Sequence, residues 1–420
     1  MGLRTYVITR ILLTIPTLLL LLSMVFLVMR VLPGDPADLH FEKKATPEQL
    51  AEMRQKLGMD KPLWQQYIDY LWGIFDVGYL LEHHYPNLGK SMQNYEEVGG
   101  QIFSAFPATL ELAIYSMIIA SIIGVLLGVV SSKSYNSVLD HLLRGFGTVT
   151  YAIPVFFLGI VFQLIFAVYL HWLPTGLRLH PEVSPPVGLI IPLNPSSTDF
   201  FHNFLSSSIA GVVCAALCIA FMKMKRVKFK FKGIIISIAV FFVCWFAYAY
   251  LSWYFICLGR FQITTGLYTI DSLLEGNLYK FFESCKALLL PSLTLGIILS
   301  GIFLRLTRTN MLETLRLDFV TAARARGLSE TTVTYGYALR NAFLPVLTMM
   351  GLQFAMLLGG AILTETTFSW PGLGTYIVSR INYRDYTAIQ GAVVMFGFFV
   401  AIVSLVVDIL YAYFDPRIRL

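Results

Sequence analysis

The chain has 420 residues, of which 56% are hydrophobic and 13% are charged, whereas soluble domains carry about 25% charged residues. Several apolar runs reach the roughly 20 residues that a helix needs to cross a bilayer. The composition therefore predicts an all-α polytopic membrane protein and excludes a β-barrel, whose strands alternate polar and apolar positions. The net charge is +6, and in a membrane protein an excess of basic residues is explained by their role in orienting the helices, so it does not indicate nucleic-acid binding.

Residues 1–32 are predicted to form the first transmembrane helix. Arg4 and Arg10 stand before the apolar run, and basic residues favour the cytoplasmic side of a membrane, so we expect a cytoplasmic N-terminus. The apolar run is longer than that of a signal peptide and lacks a cleavage site of small residues. A retained membrane helix is therefore the better interpretation.

Residues 33–105 form a long polar segment with eleven acidic and six basic side chains, which we assign to the extracytoplasmic face. Thr46-Pro47-Glu48 has the pattern of a helix start. The tripeptide that begins at Gly89 resembles the end of a phosphate-binding loop, but His84 occupies the place of the required earlier glycine, so no nucleotide site is predicted. A helix on the membrane interface is predicted by an aromatic belt formed by Trp64, Tyr67, Tyr70 and Trp72.

Residues 106–176 contain the next two predicted spans, at about 106–130 and 145–172. Lys133 and Arg144 lie in the loop between the two apolar runs and indicate a cytoplasmic loop. Pro154 lies within the second run and is expected to kink that helix, because proline removes a backbone donor.

Residues 177–286 carry two further apolar runs, at 206–222 and 233–258, which we interpret as a two-span insert. The loop between them contains no acid and six basic residues, Lys223, Lys225, Arg226, Lys228, Lys230 and Lys232. Such a loop is strongly cytoplasmic, and it could contact lipid headgroups or a specific partner. A disulfide between Cys257 and Cys285 is conceivable, but spacing alone does not decide it.

Residues 287–420 hold three more predicted spans, at about 287–309, 341–364 and 388–413. The total is about eight transmembrane helices, six in a core and two in the insert, with both termini in the cytoplasm. The stretch 318–345, between the first two of these spans, is the least apolar long segment of this half of the chain. It reads as two short helices joined by a glycine turn.

The chain offers no pattern of residues for catalysis. The seven histidines and five cysteines form no HExxH, CxxC or other metal spacing, and no nucleophile elbow is present, so no catalytic, metal or cofactor site is predicted. Ionisable groups at membrane depth are costly and often functional. Glu111, Glu365 and Asp408 lie in or beside predicted spans, where they could line a pathway or make interhelical hydrogen bonds.

The stretch 318–345 also carries a family resemblance. Its sequence is similar to the coupling-helix loop of the membrane subunits of ABC importers, and in detail to the oligopeptide, dipeptide and nickel permease subfamily, although Thr321 stands where the general motif has an acid. The matching residues are Asp318, Phe319, Val320, Ala323, Arg324, Ala325, Arg326, Gly327, Leu328, Ser329, Ala338, Leu339, Arg340, Asn341, Ala342 and Pro345. Outside this loop, PGDPA after the first span, PATLEL, the pattern ExxFSxPGLG and the tail DPRIR resemble the same subfamily.

This resemblance implies a permease subunit of the "B" type with a type I importer core, in the plasma or inner membrane of a bacterium. It also implies a second homologous permease, two ATP-binding subunits that hold ATP and Mg²⁺, and an extracytoplasmic substrate-binding protein. The coupling loop, 318–341, would receive the ATPase movement through small residues that allow close approach and arginines that offer charge. The expected coupling residues are Ala322, Ala323, Arg324, Ala325, Arg326, Gly327, Leu328 and Glu330.

The nature of the cargo stays open at this point. Oligopeptides or dipeptides are the first expectation from the resemblance, and nickel, glutathione or another small solute are alternatives within the same subfamily. A different class of function, an ATP-independent channel or a membrane receptor, also fits a polytopic chain without an active site. An ATPase that binds this chain would separate the importer from that class.

Overall fold

The computed structural model describes residues 3–31, 46–56, 60–179, 183–190, 262–359 and 361–414. Contacts divide the chain into two compact units, one formed by Met1–Leu177 with Leu289–Leu420 and the other by Arg178–Leu288. The two predicted spans of the insert, 206–222 and 233–258, lie outside the described residues. So do Cys257 and the basic loop.

The described part is almost entirely helical. The helices are α1 (Leu3–Val31), α2 (Pro47–Lys56), α3 (Leu63–Phe75), α4 (Val77–His83), α5 (Val98–Lys133), α6 (Val138–Ala152), α7 (Val155–Phe162), α8 (Tyr268–Leu274), α9 (Leu278–Thr314), α10 (Asp318–Ala325), α11 (Leu339–Leu358), α12 (Ile362–Thr367), α13 (Leu373–Asn382) and α14 (Tyr386–Phe414). Two π-helical stretches, Gln163–Tyr169 and Thr332–Ala338, extend α7 and precede α11. In the second unit, strands β1 (Leu189–Ile190) and β2 (Gln262–Ile263) pair antiparallel.

Five helices within the described residues are long and apolar enough to cross a membrane: α1, α5, α9, α11 together with the π-helical stretch before it, and α14. A sixth span results if α6 and α7 count as one, but the two are bent by 102° at their junction. Pro154 lies at that break. Proline interrupts a helix because it lacks a backbone N–H donor and its ring clashes with the preceding turn. The predicted kink is thus a sharp break between two helices.

Small residues bring three of these helices together. A Cβ on Gly124 of α5 would lie 2.6 Å from the Cβ of Phe303 in α9, and one on Gly128 would lie 2.6 Å from the Cβ of Thr307. Helices in membranes associate through such four-residue small motifs because backbones must approach closely. Gly301 of α9 packs in the same way against α6, where it faces Gly147. Helix α9 is therefore held between α5 and α6.

The segment between α4 and α5 is a tight loop that Asp385 fixes to the start of α14. Asp385 is fully buried and accepts hydrogen bonds from the Ser91 hydroxyl at 2.5 Å and the Met92 backbone N–H at 3.1 Å. Within the loop, the Tyr85 hydroxyl donates to a Glu97 carboxylate oxygen at 2.6 Å. The polar loop therefore has partners on the helical core, as buried polar groups require.

Candidate functional site: a surface helix on a shared apolar base

Helix α10 stands directly after the long helix α9 and has one apolar face. Val320 and Ala323 are 0% and 4% exposed, and they point into an apolar cluster. The other members come from α5, from α9, from the π-helical stretch before α11 and from α11 itself, namely Val129, Met311, Val333, Ala338 and Ala342, with Leu315, Leu328 and Leu339 packed at the edge. Movement of α10 would therefore act on three spans at the same point.

The outward face of α10 and the following turn hold most of the residues predicted for coupling. Ala322, Arg324, Ala325, Arg326, Gly327 and Glu330 are exposed, while Ala323 packs inward and Leu328 is half-buried against the cluster. The six exposed residues thus form one surface, which we call the α10 surface. Ala323 and Leu328 connect this surface to the apolar cluster.

Two features give the α10 surface its shape. Gly327 has a φ of +73°, the left-handed conformation that glycine adopts without strain, and its N–H donates to the Arg324 carbonyl at 2.9 Å. After the turn, the Arg324 guanidinium Nε contacts a Glu330 carboxylate oxygen at 2.9 Å. Both side chains are largely exposed, so this ion pair contributes little stability. Its effect is to hold the turn beside the helix.

A buried carboxylate ties the base of this region together, and sequence reasoning missed it. Asp140 of α6 accepts two bonds from the Arg308 guanidinium, at 2.7 and 2.8 Å, one from the Ser131 hydroxyl at 2.5 Å and one from the Asn136 N–H at 3.0 Å. The Asp140 side chain is fully buried and Arg308 is 15% exposed. The pair joins α5, α6 and α9 close to the cluster beneath α10.

The predicted polar candidates Glu365 and Asp408 lie in different places and have different partners. Asp408 of α14 contacts Arg10 of α1, with 3.2 Å between a carboxylate oxygen and a guanidinium nitrogen. Glu365 of α12 is fully buried and accepts from the Thr109 hydroxyl at 2.7 Å and the Thr375 N–H at 3.1 Å. Burial raises the pKa of Glu365, and these hydrogen bonds act in the opposite direction.

The third candidate, Glu111, is buried in α5 two residues after Thr109. Close by, the indole N–H of Trp370 donates to the Ala108 carbonyl at 2.9 Å, and the Leu373 N–H donates to Thr109 at 2.8 Å. The segment from α12 to α13 is thereby locked onto α5. Glu365 and its neighbours therefore have a structural arrangement, which holds α12 and α13 against α5.

Sequence signals for the missed residues exist but are weak. Asp140 follows Ser137 in a helix-start pattern, and Ser137 does accept from the Asp140 N–H, yet nothing in the sequence pairs it with Arg308, 168 positions away. Asp385 and Trp370 are likewise defined by distant partners. Among the residues that the structure describes, no group of three or more His, Cys, Asp or Glu side chains could hold a metal ion.

Comparison with known proteins places the chain in a family. Residues 120–420 match the family model described as "Binding-protein-dependent transport system inner membrane component", and residues 3–113 match the N-terminal model for membrane components of the same systems. The chain is 34% identical over 414 residues to the dipeptide transport system permease protein DppB of Alkalihalophilus pseudofirmus, with 99% of both chains covered.

Two further relatives are similar over nearly their whole length. The di/tripeptide transport system permease protein DppB of Pseudomonas aeruginosa is 33% identical, with 99% of this chain and 98% of the relative covered. The glutathione transport system permease protein GsiC of Salmonella typhimurium is 31% identical at the same coverage. The resemblance seen in the sequence motifs is confirmed, and the chain belongs to the family of inner membrane permease components of binding-protein-dependent transport systems.

Proposed function

We propose that this chain forms half of the translocation path for peptides in an ATP-driven importer and receives the ATPase movement through its α10 surface. The observation that carries this proposal is the position of α10, which presents an exposed, arginine-bearing surface above an apolar cluster shared by three spans. A short rigid helix of this kind suits insertion into a groove of a partner protein.

The proposed partners rest on two observations: the sequence has no nucleotide-binding motif, and the family description names a binding protein. ATP and Mg²⁺ would be held by two ATP-binding subunits, one for each permease, because this chain has no nucleotide motif. A second, homologous permease would complete the path. An extracytoplasmic substrate-binding protein would deliver the cargo, in keeping with the description of the family as binding-protein-dependent.

Peptides are the proposed cargo because of the relatives. Those named above transport dipeptides, di- and tripeptides, and glutathione, and glutathione is itself a short peptide. Import of glutathione, or of another small solute such as nickel, is the second candidate. Competition transport assays with a dipeptide, a tripeptide and glutathione in vesicles that contain the complete system would rank these cargoes.

The proposed topology has eight spans, with both termini in the cytoplasm. The Arg10–Asp408 pair supports an even number, because it joins the first part of α1 to the last part of α14. The two spans of the insert can be tested by cysteine labelling in a chain whose native cysteines are replaced. A cysteine at position 228 should react only with a reagent that reaches the cytoplasm, and labelling from outside would contradict the two-span insert.

Coupling can be tested by co-purification with the ATPase subunits. Gly327→Pro should abolish binding, because proline cannot adopt the positive φ of this turn. Arg324→Glu should also weaken it, since that change reverses a charge on the α10 surface and places two carboxylates together.

The matched control is the swap Arg324→Glu with Glu330→Arg, which restores the internal ion pair and the net charge of the surface but exchanges the positions of the two charges. If the swap restores ATPase binding, the arginine acts only through the shape of the turn. If binding stays weak, the surface charge contacts the partner. Transport that persists without ATP, in the absence of any nucleotide-hydrolysing partner, would contradict the importer and favour a channel or receptor.

A further inference from the structure

Helix α3 is a short helix with three distinct faces, and the first of them packs on α1. The rings of Tyr67 and Tyr70 lie 5.2 and 5.6 Å from the ring of Phe26. The Tyr67 hydroxyl also forms a 2.6 Å hydrogen bond with the hydroxyl of Ser23. Two members of the predicted aromatic belt are therefore used for contact with a transmembrane helix.

The second face is polar and turns toward the rest of the extracytoplasmic segment. Asp69 forms an exposed ion pair with Lys61, with 2.7 Å between the carboxylate and the ammonium nitrogen. Gln65, one turn before Asp69, is half-buried. Gly73 lies against the loop after α4, where a Cβ would be 3.3 Å from the Asn87 carbonyl oxygen. This side of α3 therefore has water and protein as its neighbours.

The third face is apolar, and the described part of the chain leaves it uncovered. Trp64, Ile68, Trp72 and Phe75 follow each other at spacings of four, four and three residues, so they form a single stripe along a helix. Trp64 is 66% exposed and Trp72 is 76% exposed. Four large apolar side chains in one exposed stripe indicate a surface with a partner.

The partner that fits this stripe is the lipid bilayer. Helix α1 is a membrane span, and at the end that contacts α3 it exposes Met24, Leu27 and Val28, so the apolar surface of α3 borders a surface that must face lipid. Tryptophan is enriched at the level of lipid headgroups, where one side of the ring is apolar and the other wet. A polar face beside an apolar face is the pattern of a helix that lies in the plane of the interface.

We infer that α3 lies flat in the membrane interface beside the end of α1, with Trp64, Ile68, Trp72 and Phe75 inserted among the acyl chains and Asp69 in water. This inference rests on α1 as a membrane span and is independent of the cargo. It changes the expectation from the sequence, because the lipid-facing residues are the two tryptophans with Ile68 and Phe75, and the tyrosines face α1. Lipid contact by α3 would also restrain the loop at Asn87, which packs against α3. The same loop contacts Asp385 through Ser91.

The test is spin labelling of the complete transporter in nanodiscs made of phosphatidylethanolamine and phosphatidylglycerol. Single cysteines replace Ile68 or Trp72 in a chain without native cysteines, and Asp69→Cys is the matched control on the polar face. Collision of the nitroxide with oxygen, which concentrates in lipid, is compared with collision with a water-soluble nickel chelate. Positions 68 and 72 should favour oxygen, and position 69 should favour the chelate.

Two results would overturn the inference. Strong collision with the chelate at positions 68 and 72 would mean that the stripe faces water, and weak collision with both reagents would mean that protein covers it. The wild-type chain provides a second measurement without cysteine replacement. Brominated acyl chains should quench its tryptophan fluorescence more than that of a Trp64→Phe, Trp72→Phe double variant, and equal quenching would count against lipid contact.

Discussion

The buried pair between Asp140 and Arg308 gives the strongest prediction for stability. Arg308→Ala removes two of the four hydrogen bonds that Asp140 accepts and leaves a carboxylate that is 0% exposed. Its remaining partners are the Ser131 hydroxyl, the Asn136 N–H and the half-exposed Arg144 guanidinium, whose Nε lies 3.8 Å away. Removal of one partner of a buried ion pair costs about 3–5 kcal/mol, because the remaining charge is still excluded from water. We expect a loss near the lower end of this range in the free energy of unfolding, because Arg144 still faces the carboxylate.

Two related changes at Arg308 separate charge from geometry. Arg308→Lys keeps a positive charge but loses the two-pronged contact with the carboxylate, and we expect a loss of about 1.5–3 kcal/mol, the range for a hydrogen bond to a charged group. Arg308→Ala combined with Asp140→Asn should be less destabilising than Arg308→Ala alone, because no uncompensated charge is then buried.

The matched control lies on the same helix. Arg305 is exposed and its guanidinium carbon lies 5.7 Å from the centre of the Tyr151 ring, a contact that contributes about 0.5–1 kcal/mol, so Arg305→Ala should have a small effect. The assay is equilibrium unfolding in mixed micelles of dodecyl sulfate and dodecyl maltoside, followed by circular dichroism. A loss for Arg308→Ala no larger than that for Arg305→Ala would refute the reasoning.

Three further predictions concern glycine positions and the carboxylate of Glu97. Gly327→Val should lower affinity for the ATPase subunits in a pull-down more than Gly327→Asn does, because a left-handed residue costs about 1–2 kcal/mol for most side chains and asparagine tolerates this conformation. Gly372→Ala should lower the melting temperature, since its Cβ would lie 2.5 Å from a Glu365 carboxylate oxygen, whereas Gly145→Ala, which meets nothing within 4 Å, should leave it unchanged or raise it. Hydrogen bonds from the hydroxyls of Tyr85 and Tyr79 lower the pKa of Glu97. The stability that this carboxylate gives is therefore complete above its ordinary pKa and is lost as pH falls through the lowered value. The difference in melting temperature between wild type and Glu97→Gln should shrink from pH 7 to pH 3.

The positions of the candidate spans within the described residues could be predicted from sequence, because a bilayer demands long apolar runs. The ends of those spans could not, since helices continue past the apolar region. Helix α5 was expected at 106–130 and extends over Val98–Lys133, where serine, glutamine and lysine are tolerated in a helix that leaves the membrane. The sequence predicted the position of the break at Pro154 but not its angle of 102°. Proline permits a bend, and packing sets the angle.

The candidate site could be located from sequence, but the direction of its side chains could not. Gly327 marks the end of α10 in the sequence, and the structure confirms a glycine turn there. Nothing local distinguishes Ala323, which packs into the core, from Ala322 and Ala325, which are exposed. That difference depends on which side of α10 meets Met311 and Val333, and therefore on contacts between distant segments.

The arrangement beneath α10 bears on how an ATPase movement could reach the path. An exposed loop alone would absorb a push by bending, because its backbone has few fixed neighbours. Here Val320 and Ala323 are buried against α5, α9 and the start of α11, and close-packed interiors transmit displacement because they compress little. The Asp140–Arg308 pair fixes α6 to α9 next to this cluster, so α6 should move with α9. If this is correct, Arg308→Ala should reduce transport for each ATP hydrolysed even where the complex still assembles, and an unchanged ratio would confine the pair to a role in stability.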